Sequence, residues 1–557
     1  EVKKNIPILV ITGNPPYSGI SSNKGKWILE KIRNYYQIEG IKLKEKNPKW
    51  LQDDYVKFIR FAQDKIESNG EGIVGFITNQ SYLDNPTFRG MRHSLLNTFD
   101  EIYILNLHGN SLKKEVCPDG SKDENVFDIR QGVAISIFVK KREYQGEKKI
   151  YYSDLWGLRE EKYKFLEKND IKTIEFAEIK PKKDFFFFIP REEKEEDLYN
   201  KFIKITDIFK VYSIGIVTAR DDFVIDFDLN KLKARINMFR DKSLSYEFIK
   251  ENFKLKDTNG WKLEKIRLEF SKLDDVEKYY TKILYRPFDK RFIFYHDFLI
   301  ERTRKEVMQH MMKENLGLIA RRQMLSNKPC NYFFMTNLII SDGVIRSDNK
   351  GQESLFPLYL YSSHMFKEKD EVIEKVPNIK EEIFEMLQKE YKKEVTPEEI
   401  FYYIYGVLYS NIYREKYAEF LKIDFPRVPF TKNYELFKQI GVLGKELISL
   451  HLLNSEKLNN PTSKFEGEGN NLVKYVKYDE NKKSVFINEN QYFTNIEKDI
   501  WEYMIGGYQV LYKWLKDRKG RFLSLDEILN YAKIVTSLKY TIELQKEIDT
   551  IELNNEI

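Results

Sequence analysis

The sequence predicts an α/β protein with a doubly wound sheet at its start, a mixed α/β region after it and a helical last part. Three observations predict this class. Short apolar runs rich in β-branched residues alternate with helical patterns over the first part of the chain. The alternation fades where Lys- and Glu-rich stretches surround Phe185–Phe188. Beyond residue 400 the apolar residues recur mostly with helical spacing.

The N-terminal alternation comprises four strands and two helices. Run 6–11 is continuous and apolar, which predicts a buried parallel strand. In sheets of this kind, ligands bind at the carboxyl ends of the strands. The predicted ranges are strand 6–11, helix 53–68, strand 72–78, helix 88–99, strand 101–106 and strand 133–140.

The length of 557 residues predicts two to four domains. We expect three parts, at residues 1–160, 161–360 and 361–557. Because the chain begins at Glu1 and a strand-like run follows almost at once, we expect it to be a piece of a longer protein.

Composition narrows the class of protein. The net charge of +6 is small for this length, so any nucleic-acid surface must be a local patch. Cys117 and Cys330 lie far apart and form no disulfide framework, which favours a reducing cytoplasm. No apolar run approaches the ~18 residues that a membrane helix needs, and no signal peptide is visible.

The most informative motif is Asn14-Pro15-Pro16-Tyr17, directly after the first predicted strand. The amino nitrogen of adenine is a poor nucleophile because its lone pair is delocalised into the ring. The Asn14 amide oxygen and the Pro15 carbonyl can accept its two hydrogens and free that lone pair. Pro15 and Pro16 would stiffen the turn, and Tyr17 would stack on the base. The alternative is a stiff turn without chemistry.

This motif resembles that of N6-adenine DNA methyltransferases, in the form with a leading Asn that is typical of adenine targets. Residues 79–83, 89–92 and 125–135 match the same fold in order. The resemblance implies S-adenosylmethionine as the methyl donor and a flipped adenine as the substrate. It also implies that Phe127 stacks on that adenine. The alternative for Phe127 is a core aromatic residue at the edge of a strand.

A cofactor-binding loop rich in glycine should follow the first strand of such a sheet, and in this permutation it lies upstream of the chain. Residues 70–75 satisfy the spacing G-x-G-x-x-G but precede a strand instead of opening a helix, so we reject them. We therefore expect the chain alone to bind S-adenosylmethionine weakly or not at all.

The rest of the chain resembles the specificity region of single-polypeptide Type ISP restriction–modification enzymes. The resemblance implies that residues 1–160 are the C-terminal half of a methyltransferase domain, 161–360 a DNA target-recognition domain and 361–557 the helical part of the specificity region. In that family a nuclease and a translocase precede the methyltransferase. The matching segments are 283–291, 413–420, 425–430, 505–508 and 514–518.

Basic residues interleaved with aromatic ones are candidates for contacts with double-stranded DNA. Arg suits phosphates and guanine, and Gln suits the edge of adenine. The alternative is a solvated face over an aromatic core. The candidates are Arg220, Arg286, Lys290, Arg291, Arg302, Arg304, Arg321, Arg322 and Gln323. The six histidines are scattered without ligand spacing, so we expect no metal.

Two other functions remain open. Protein glutamine methyltransferases that modify release factors use the same motif on an amide nitrogen, but they are small. The second alternative is a non-catalytic DNA-binding specificity module that keeps the methyltransferase fold only as a scaffold.

Overall fold

The computed structural model describes residues 7–17, 19, 21–43, 48–111, 115–183, 185–190, 193–258, 260–324, 331–345, 352–361 and 374–551. The chain divides into two units, Glu1–Glu193 and Lys194–Ile557. The three-part division at 160 and 360 remains a prediction.

The N-terminal unit is built on a six-stranded sheet with a small hairpin beside it. The order across the sheet is β1-β4-β6-β5-β7-β8, and β2 pairs with β3. The strands are β1 Val10–Gly13, β2 Gln37–Ile38, β3 Ile41–Lys42, β4 Gly72–Asn79, β5 Glu101–His108, β6 Val133–Lys140, β7 Lys149–Asp154 and β8 Ala177–Ile179.

Among the described residues of this unit, five α-helices connect these strands. They are α1 Lys26–Lys31, α2 Asp54–Asn69, α3 Ser81–Asp84, α4 Arg89–Thr98 and α5 Arg159–Lys168. Short 3-10 helices cover Ile32–Tyr36, Pro48–Gln52 and Pro86–Phe88. The predictions for α2, α4, β4, β5 and β6 are confirmed to within one or two residues.

The first strand differs from its prediction. β1 begins at Val10 and pairs in parallel with β4, as expected. However, it is not buried: the side chain of Val10 is 60% exposed and that of Leu9 is 47% exposed. The reason is its position, because β1 is the edge strand of the described sheet. An apolar run therefore indicated the strand correctly and its burial wrongly; Ile6 lies outside the described residues.

β6 gives the sheet a mixed character. It lies between β4 and β5 and runs antiparallel to both, while β5 and β7 are parallel. Because β5 and β6 are antiparallel neighbours, the segment that joins them starts at the carboxyl end of β5 and returns to the same side of the sheet. The carboxyl end of β4 lies on that side as well.

Two apolar layers cover the sheet. α2 and α4 pack against one layer, to which β4 contributes Val74 and Phe76. A smaller layer contains Leu105, Leu107, Val126 and Val133.

The C-terminal unit contains several small sheets. Two four-stranded sheets have the orders β10-β17-β14-β15 and β11-β13-β12-β16, and a third has the order β21-β24-β23-β22. The strands are β9 Ile203–Lys204, β10 Ser213–Ile214, β11 Ile225–Asp226, β12 Tyr280–Arg286, β13 Asp289–Phe294, β14 Gly317–Arg321, β15 Phe333–Thr336, β16 Ile339–Ile340, β17 Glu353–Pro357, β18 Tyr359–Tyr361, β19 Lys375–Pro377, β20 Arg427–Val428, β21 Phe465–Glu466, β22 Lys477–Asp479, β23 Ser484–Phe486, β24 Tyr492–Phe493, β25 Met504–Ile505 and β26 Tyr508–Gln509.

The longest helices of this unit lie after residue 380. The α-helices are α6 Glu193–Lys201, α7 Ile205–Ile208, α8 Asp221–Val224, α9 Leu229–Arg240, α10 Tyr246–Asn252, α11 Leu263–Phe270, α12 Lys305–Met308, α13 Glu381–Tyr391, α14 Pro397–Tyr409, α15 Asn411–Lys416, α16 Ala418–Leu421, α17 Tyr434–His451, α18 Lys498–Trp501, α19 Val510–Lys516 and α20 Leu525–Asp549. Further 3-10 helices cover Glu277–Tyr279, Gln309–Met312 and Glu456–Leu458.

Two glycines allow α14 and α17 to pack closely. A Cβ on Gly406 would lie 2.7 Å from Ile440 Cγ2 and 2.8 Å from its carbonyl oxygen. A Cβ on Gly444 would collide with the carbonyl of Tyr402. Larger residues at either position would force the two helices apart.

Candidate functional site

The Asn14–Tyr17 turn lies at the carboxyl end of β1. Asn14 and Pro16 are exposed, Pro15 is buried and Tyr17 is half-buried. The Tyr17 hydroxyl donates to Asn14 Oδ1 at 3.1 Å and lies 3.3 Å from the carbonyl oxygen of Ile77, in β4. Burial raises the pKa of Tyr17 to about 12, so the phenol stays protonated near neutral pH and remains a donor. The asparagine is thus anchored by one bond and still faces solvent.

Phe127 lies on the segment that joins β5 and β6. It is half-buried and packs against the layer of Leu105, Leu107, Val126 and Val133. Tyr17 and Ile77 pack against the same layer. The fold thus brings the motif after β1 and the predicted stacking residue to one apolar cluster, although more than a hundred residues separate them in sequence.

A cavity of about 550 Å³ opens beside Phe127. Its lining mixes carboxylates, two arginines and apolar groups. Asn14, Pro15, Pro16 and Tyr17 do not line it. The lining residues are Gly109, Ser111, Glu115, Val116, Asp123, Asn125, Phe127, Asp128, Ile129, Arg130 and Arg159.

His108 ends β5 beside this cavity. Its ring is buried and stacks on Trp156, with centroids 3.3 Å apart. Its Nε2 lies 2.6 Å from Asp154 Oδ1, and its Nδ1 lies 4.0 Å from Glu115 Oε2. Burial alone would lower the pKa of His108, but the two carboxylates outweigh it and raise the pKa above its usual value.

A buried ion pair holds the segment between β5 and β6 against α5. Lys162 Nζ lies 2.6 Å from Asp123 Oδ1, and neither side chain is exposed to solvent. Lys162 also donates to the carbonyls of Leu107 and Glu124, at 2.8 and 2.7 Å. The other carboxylate oxygen of Asp123 accepts from the Gly109 amide at 2.6 Å. With these bonds the pair is satisfied, as a buried charge requires.

Several predicted DNA-binding arginines of the C-terminal unit contact other protein groups. Arg220 is buried, lies 3.8 Å from the ring centroid of Trp261 and pairs with Glu301 at 3.2 Å. Burial lowers the pKa of Arg220, against the effect of Glu301. Its guanidinium therefore holds the loop before α8.

Arg291 belongs to a network of charges around Asp289. Arg291 donates to Asp289 Oδ2 at 2.7 Å and to Asp517 Oδ2 at 3.1 Å. Arg518 donates to the other oxygen of Asp289 at 2.7 Å. Both guanidinium groups lie over the ring of Phe227. The 283–291 and 514–518 segments, far apart in sequence, therefore meet in one buried cluster.

The next three candidates also contact protein groups. Arg321 is buried, 3.9 Å from Glu353. Arg322 Nε donates to Asp424 at 2.8 Å, and Gln323 donates to the carbonyl of Ile423 at 3.0 Å.

The remaining candidates are more accessible. Lys290 and Arg302 are exposed, and Arg286 and Arg304 are half-buried. Arg286 donates to the carbonyl of Tyr285 at 2.7 Å, and Arg304 has a left-handed backbone with φ of 53°. Of these four residues, Lys290 and Arg302 are the exposed ones, although partial burial and the nearby Lys282 lower the pKa of Lys290.

Within the described residues, no group of three or more His, Cys, Asp or Glu side chains is arranged to hold a metal ion. Cys330 and His364 lie outside that part. Among the described helices, none combines the length and apolar character of a membrane span.

A sequence model of one family matches residues 207–547, which is more than half of the chain. That family is the Type ISP C-terminal specificity domain. The chain belongs to this family. Residues 283–291, 413–420, 425–430, 505–508 and 514–518 all fall within the match, as the sequence resemblance predicted. The Type ISP specificity domain therefore accounts for nearly all of the C-terminal unit.

Solved structures match almost the whole chain, including the N-terminal unit. The ATP-dependent Type ISP restriction–modification enzyme LlaBIII bound to DNA is 25% identical over 98% of this chain, with a TM-score of 0.72. The DrdV–DNA complex is 24% identical over 97%, with a TM-score of 0.71. A nuclease-deletion mutant of the Type ISP enzyme LlaGI, in complex with a DNA substrate mimic, is 24% identical over 97%, with a TM-score of 0.67.

These relatives are longer than the Type ISP chain described here. It covers 37% of the LlaBIII chain, 44% of the LlaGI chain and 57% of the DrdV chain. No curated protein matches the sequence significantly.

Two residues that shape the cavity, Asn125 and Arg159, did not stand out in the sequence. Asn125 lies two residues before Phe127, a spacing at which an Asn side chain often bonds to the backbone. That pattern could have indicated it. Arg159 comes 32 residues after Phe127 and carries no local signal.

Proposed function

We propose that this chain supplies the catalytic motif of a site-specific DNA adenine-N6 methyltransferase together with the region that recognises the DNA target. The supporting observation is the anchored, exposed Asn14 at the carboxyl end of β1, beside the apolar cluster that holds Tyr17 and Phe127. Carboxyl ends of parallel strands are the usual ligand edge of such sheets.

The proposed chemistry at Asn14 follows from hydrogen-bonding capacity. An amide oxygen has two lone pairs, and the Tyr17 hydroxyl occupies one of them. The second can accept a hydrogen of the adenine amino group, and the Pro15 carbonyl can accept the other. Both acceptors favour a tetrahedral nitrogen, whose lone pair is then free to attack. Because the turn is already folded, little reorganisation is needed at the moment of reaction.

The target base must leave the duplex to reach this turn. Aromatic side chains can hold an extruded base by stacking, which contributes about 1–3 kcal/mol per base. Tyr17 and Phe127 are the two aromatic residues proposed for this role. Their rings pack on one layer, so a base between the turn and the cavity could meet both.

S-adenosylmethionine would supply an electrophilic methyl group to the adenine nitrogen; its methyl–sulfur bond would break, S-adenosylhomocysteine would leave, and one amino proton of the adenine would pass to solvent. The glycine-rich stretch 70–75 does not fit this donor. A Cβ on Gly72 would lie 2.7 Å from the carbonyl oxygen of Leu9, so this glycine allows β1 and β4 to approach each other. We therefore assign no donor-binding residue, and propose that the donor is held by residues upstream of this chain.

The C-terminal unit is proposed to recognise double-stranded DNA. The Type ISP specificity match covers residues 207–547, and the structures of LlaBIII and DrdV contain DNA. Exposed Lys290 and Arg302 are the residues best suited to phosphate contacts. The parent protein would then be a restriction–modification enzyme, with nuclease and translocase parts outside this chain.

One observation favours a second candidate, a non-catalytic specificity module. The family match starts at residue 207 and so leaves Asn14–Tyr17 outside it. In this alternative the N-terminal unit would only support DNA binding. A protein glutamine methyltransferase is not favoured, because it would leave the specificity domain without a role.

The test uses the full parent protein with DNA and tritiated S-adenosylmethionine. Label in adenine is expected, and Asn14→Ala should lower its rate by about 100-fold or more while DNA binding is unchanged. The exposed Asn460→Ala is the matched control and should keep the unaltered rate. DNA binding without any label in adenine would favour the specificity module. An unaltered rate in Asn14→Ala would overturn its proposed role.

A further inference from the structure

Three successive peptide carbonyls before and at Phe127 accept hydrogen bonds from one helix, α5. Arg159 Nε donates to Asn125 at 2.7 Å, the Tyr163 hydroxyl to Val126 at 2.5 Å and Arg159 Nη2 to Phe127 at 3.0 Å. Side-chain bonds to three consecutive carbonyls leave the backbone at Phe127 little freedom.

The amide of Phe127 is held as well. Its N–H donates to Asn125 Oδ1 at 2.8 Å. Asn125 Nδ2 in turn donates to the carbonyls of Gly109 and Gln131, at 3.0 and 2.6 Å. One buried side chain thus ties together the start, the middle and the end of the segment between β5 and β6.

Gly109 makes this arrangement possible. Its backbone has φ of 77°, a conformation that favours glycine. A Cβ at this position would lie 2.7 Å from the Asn125 nitrogen and 2.8 Å from the Asn125 Cβ. The close approach of Asn125 to the end of β5 therefore depends on a residue without a side chain.

Each of the three guanidinium nitrogens of Arg159 has a partner on the segment between β5 and β6. Besides the two carbonyls, Arg159 Nη1 pairs with Asp128 Oδ1 at 2.8 Å. A planar fork with three nitrogens suits acceptors spread over residues 125, 127 and 128 better than the single nitrogen of a lysine does. Asp128 offsets its charge, so the group is better suited to holding the loop than to binding a phosphate.

We propose that Arg159 is a positioning residue that presents the Phe127 ring to the flipped adenine. Arg159 and Phe127 both line the 550 Å³ cavity, and Arg159 reaches Phe127 through its backbone. This inference rests on the proposed methyltransferase function. It assigns a role to α5, which lies later in the chain than the segment that carries Phe127.

The test is a double-mutant cycle in the full parent protein. Arg159→Ala and Phe127→Ala are each expected to slow adenine methylation by about 10- to 100-fold, the effect of losing one stacking contact. Because Arg159 acts through Phe127, the double variant should stay within about twofold of Phe127→Ala. DNA binding should be unchanged in all three.

A spectroscopic measurement complements the rates. Once the modified adenine has been mapped by sequencing, 2-aminopurine replaces it in a DNA duplex, and its fluorescence reports extrusion of the base. The increase on binding should be lost in Phe127→Ala and Arg159→Ala. Arg142→Ala is the matched control, because Arg142 is 70% exposed and pairs with Glu71. It should keep both the fluorescence and the rate.

Folding is checked by thermal unfolding. If Arg159→Ala does not fold, the cycle is run with Arg159→Lys, which keeps the charge but replaces the planar fork by a single nitrogen. Equal losses from the Arg159 change with and without the Phe127 ring would overturn the inference. An unaltered methylation rate in the folded Arg159 variant would also overturn it. If Asn14→Ala still abolishes methylation in that case, the proposed function stands and only the role of Arg159 is wrong. No methylation by the unaltered protein would overturn both.

Discussion

Asp289 and Arg518 form an ion pair at 2.7 Å although 229 residues separate them in sequence. Asp289 is fully buried, and the side chain of Arg518 is 4% exposed and lies 3.4 Å from the ring centroid of Trp514. Arg291 binds the second oxygen of the carboxylate. One aspartate thus joins the β12–β13 hairpin to the region after α19.

Replacing Asp289 should destabilise the C-terminal unit strongly. Asp289→Ala removes the buried carboxylate that Arg291 and Arg518 share, although Arg291 keeps Asp517 and Arg518 keeps Glu527 as partners. Breaking a buried pair from one side costs about 3–5 kcal/mol. Denaturant unfolding measures the loss. As a control, Lys233→Ala removes a more exposed pair with Glu277 and should cost less than about 1 kcal/mol. Equal effects of the two changes would contradict this account of Asp289.

The salt dependence of DNA binding should come from Lys290 and Arg302. Each cation that neutralises a phosphate contributes about 0.9 to the slope of log affinity against log salt concentration. The double change to Ala should therefore flatten the slope by about 2. Titrations from low to moderate salt measure it. Arg220→Ala is the comparison, since Arg220 is buried against Trp261 and should alter stability more than slope. An unchanged slope in the double variant would place the DNA elsewhere.

The hydroxyl of Tyr17 should matter separately from its ring. Tyr17→Phe keeps the ring in the apolar cluster but removes the bond to Asn14 Oδ1. A net hydrogen bond contributes about 0.5–1.5 kcal/mol, so adenine methylation should slow by about 2- to 12-fold. Tyr144→Phe removes an exposed hydroxyl bonded to Glu147 and serves as the control. Equal rates in the two variants would show that Asn14 needs no such anchor.

The N-terminal unit should lose stability as the pH rises above about 6.5, the ordinary pKa of histidine. The pKa of His108 is higher in the folded protein than its ordinary value, because Asp154 and Glu115 outweigh the opposing effect of burial. Its contribution is complete below the unfolded pKa of about 6.5 and disappears as the pH rises through the folded pKa. Thermal unfolding between pH 5.5 and 8.5 measures this.

His108→Asn should flatten that pH dependence. His93→Asn is the control, because burial lowers the pKa of His93, so its removal cannot abolish a loss that sets in at higher pH. If the loss of stability with rising pH persists in His108→Asn and vanishes in His93→Asn, it comes from His93 and not from His108.

Local patterns predicted most of the N-terminal sheet. The runs at 72–78 and 133–140 are strands, and the helical spacing at 53–68 is a helix. The direction of β6 could not be predicted, because apolar alternation is the same for parallel and antiparallel neighbours. Nor could the exposure of β1 be predicted, because it depends on which strand lies at the edge.

The acidic partners of the basic residues could not be predicted from the sequence, for a different reason. Arg322 pairs with Asp424 and Arg291 with Asp517, and nothing near either arginine indicates an acid so far along the chain. A cluster of arginines looks alike in sequence whether it faces DNA or closes a core. Only tertiary contacts separate Arg291 and Arg321 from Lys290 and Arg302.

The exposed edge of β1 has a practical consequence for biochemistry. Among the described strands, none pairs with its outer side, and the side chains of Leu9 and Val10, at its start, are exposed. Unpaired strand edges of this kind template aggregation. The chain on its own should therefore self-associate through this edge, which light scattering at increasing protein concentration would detect.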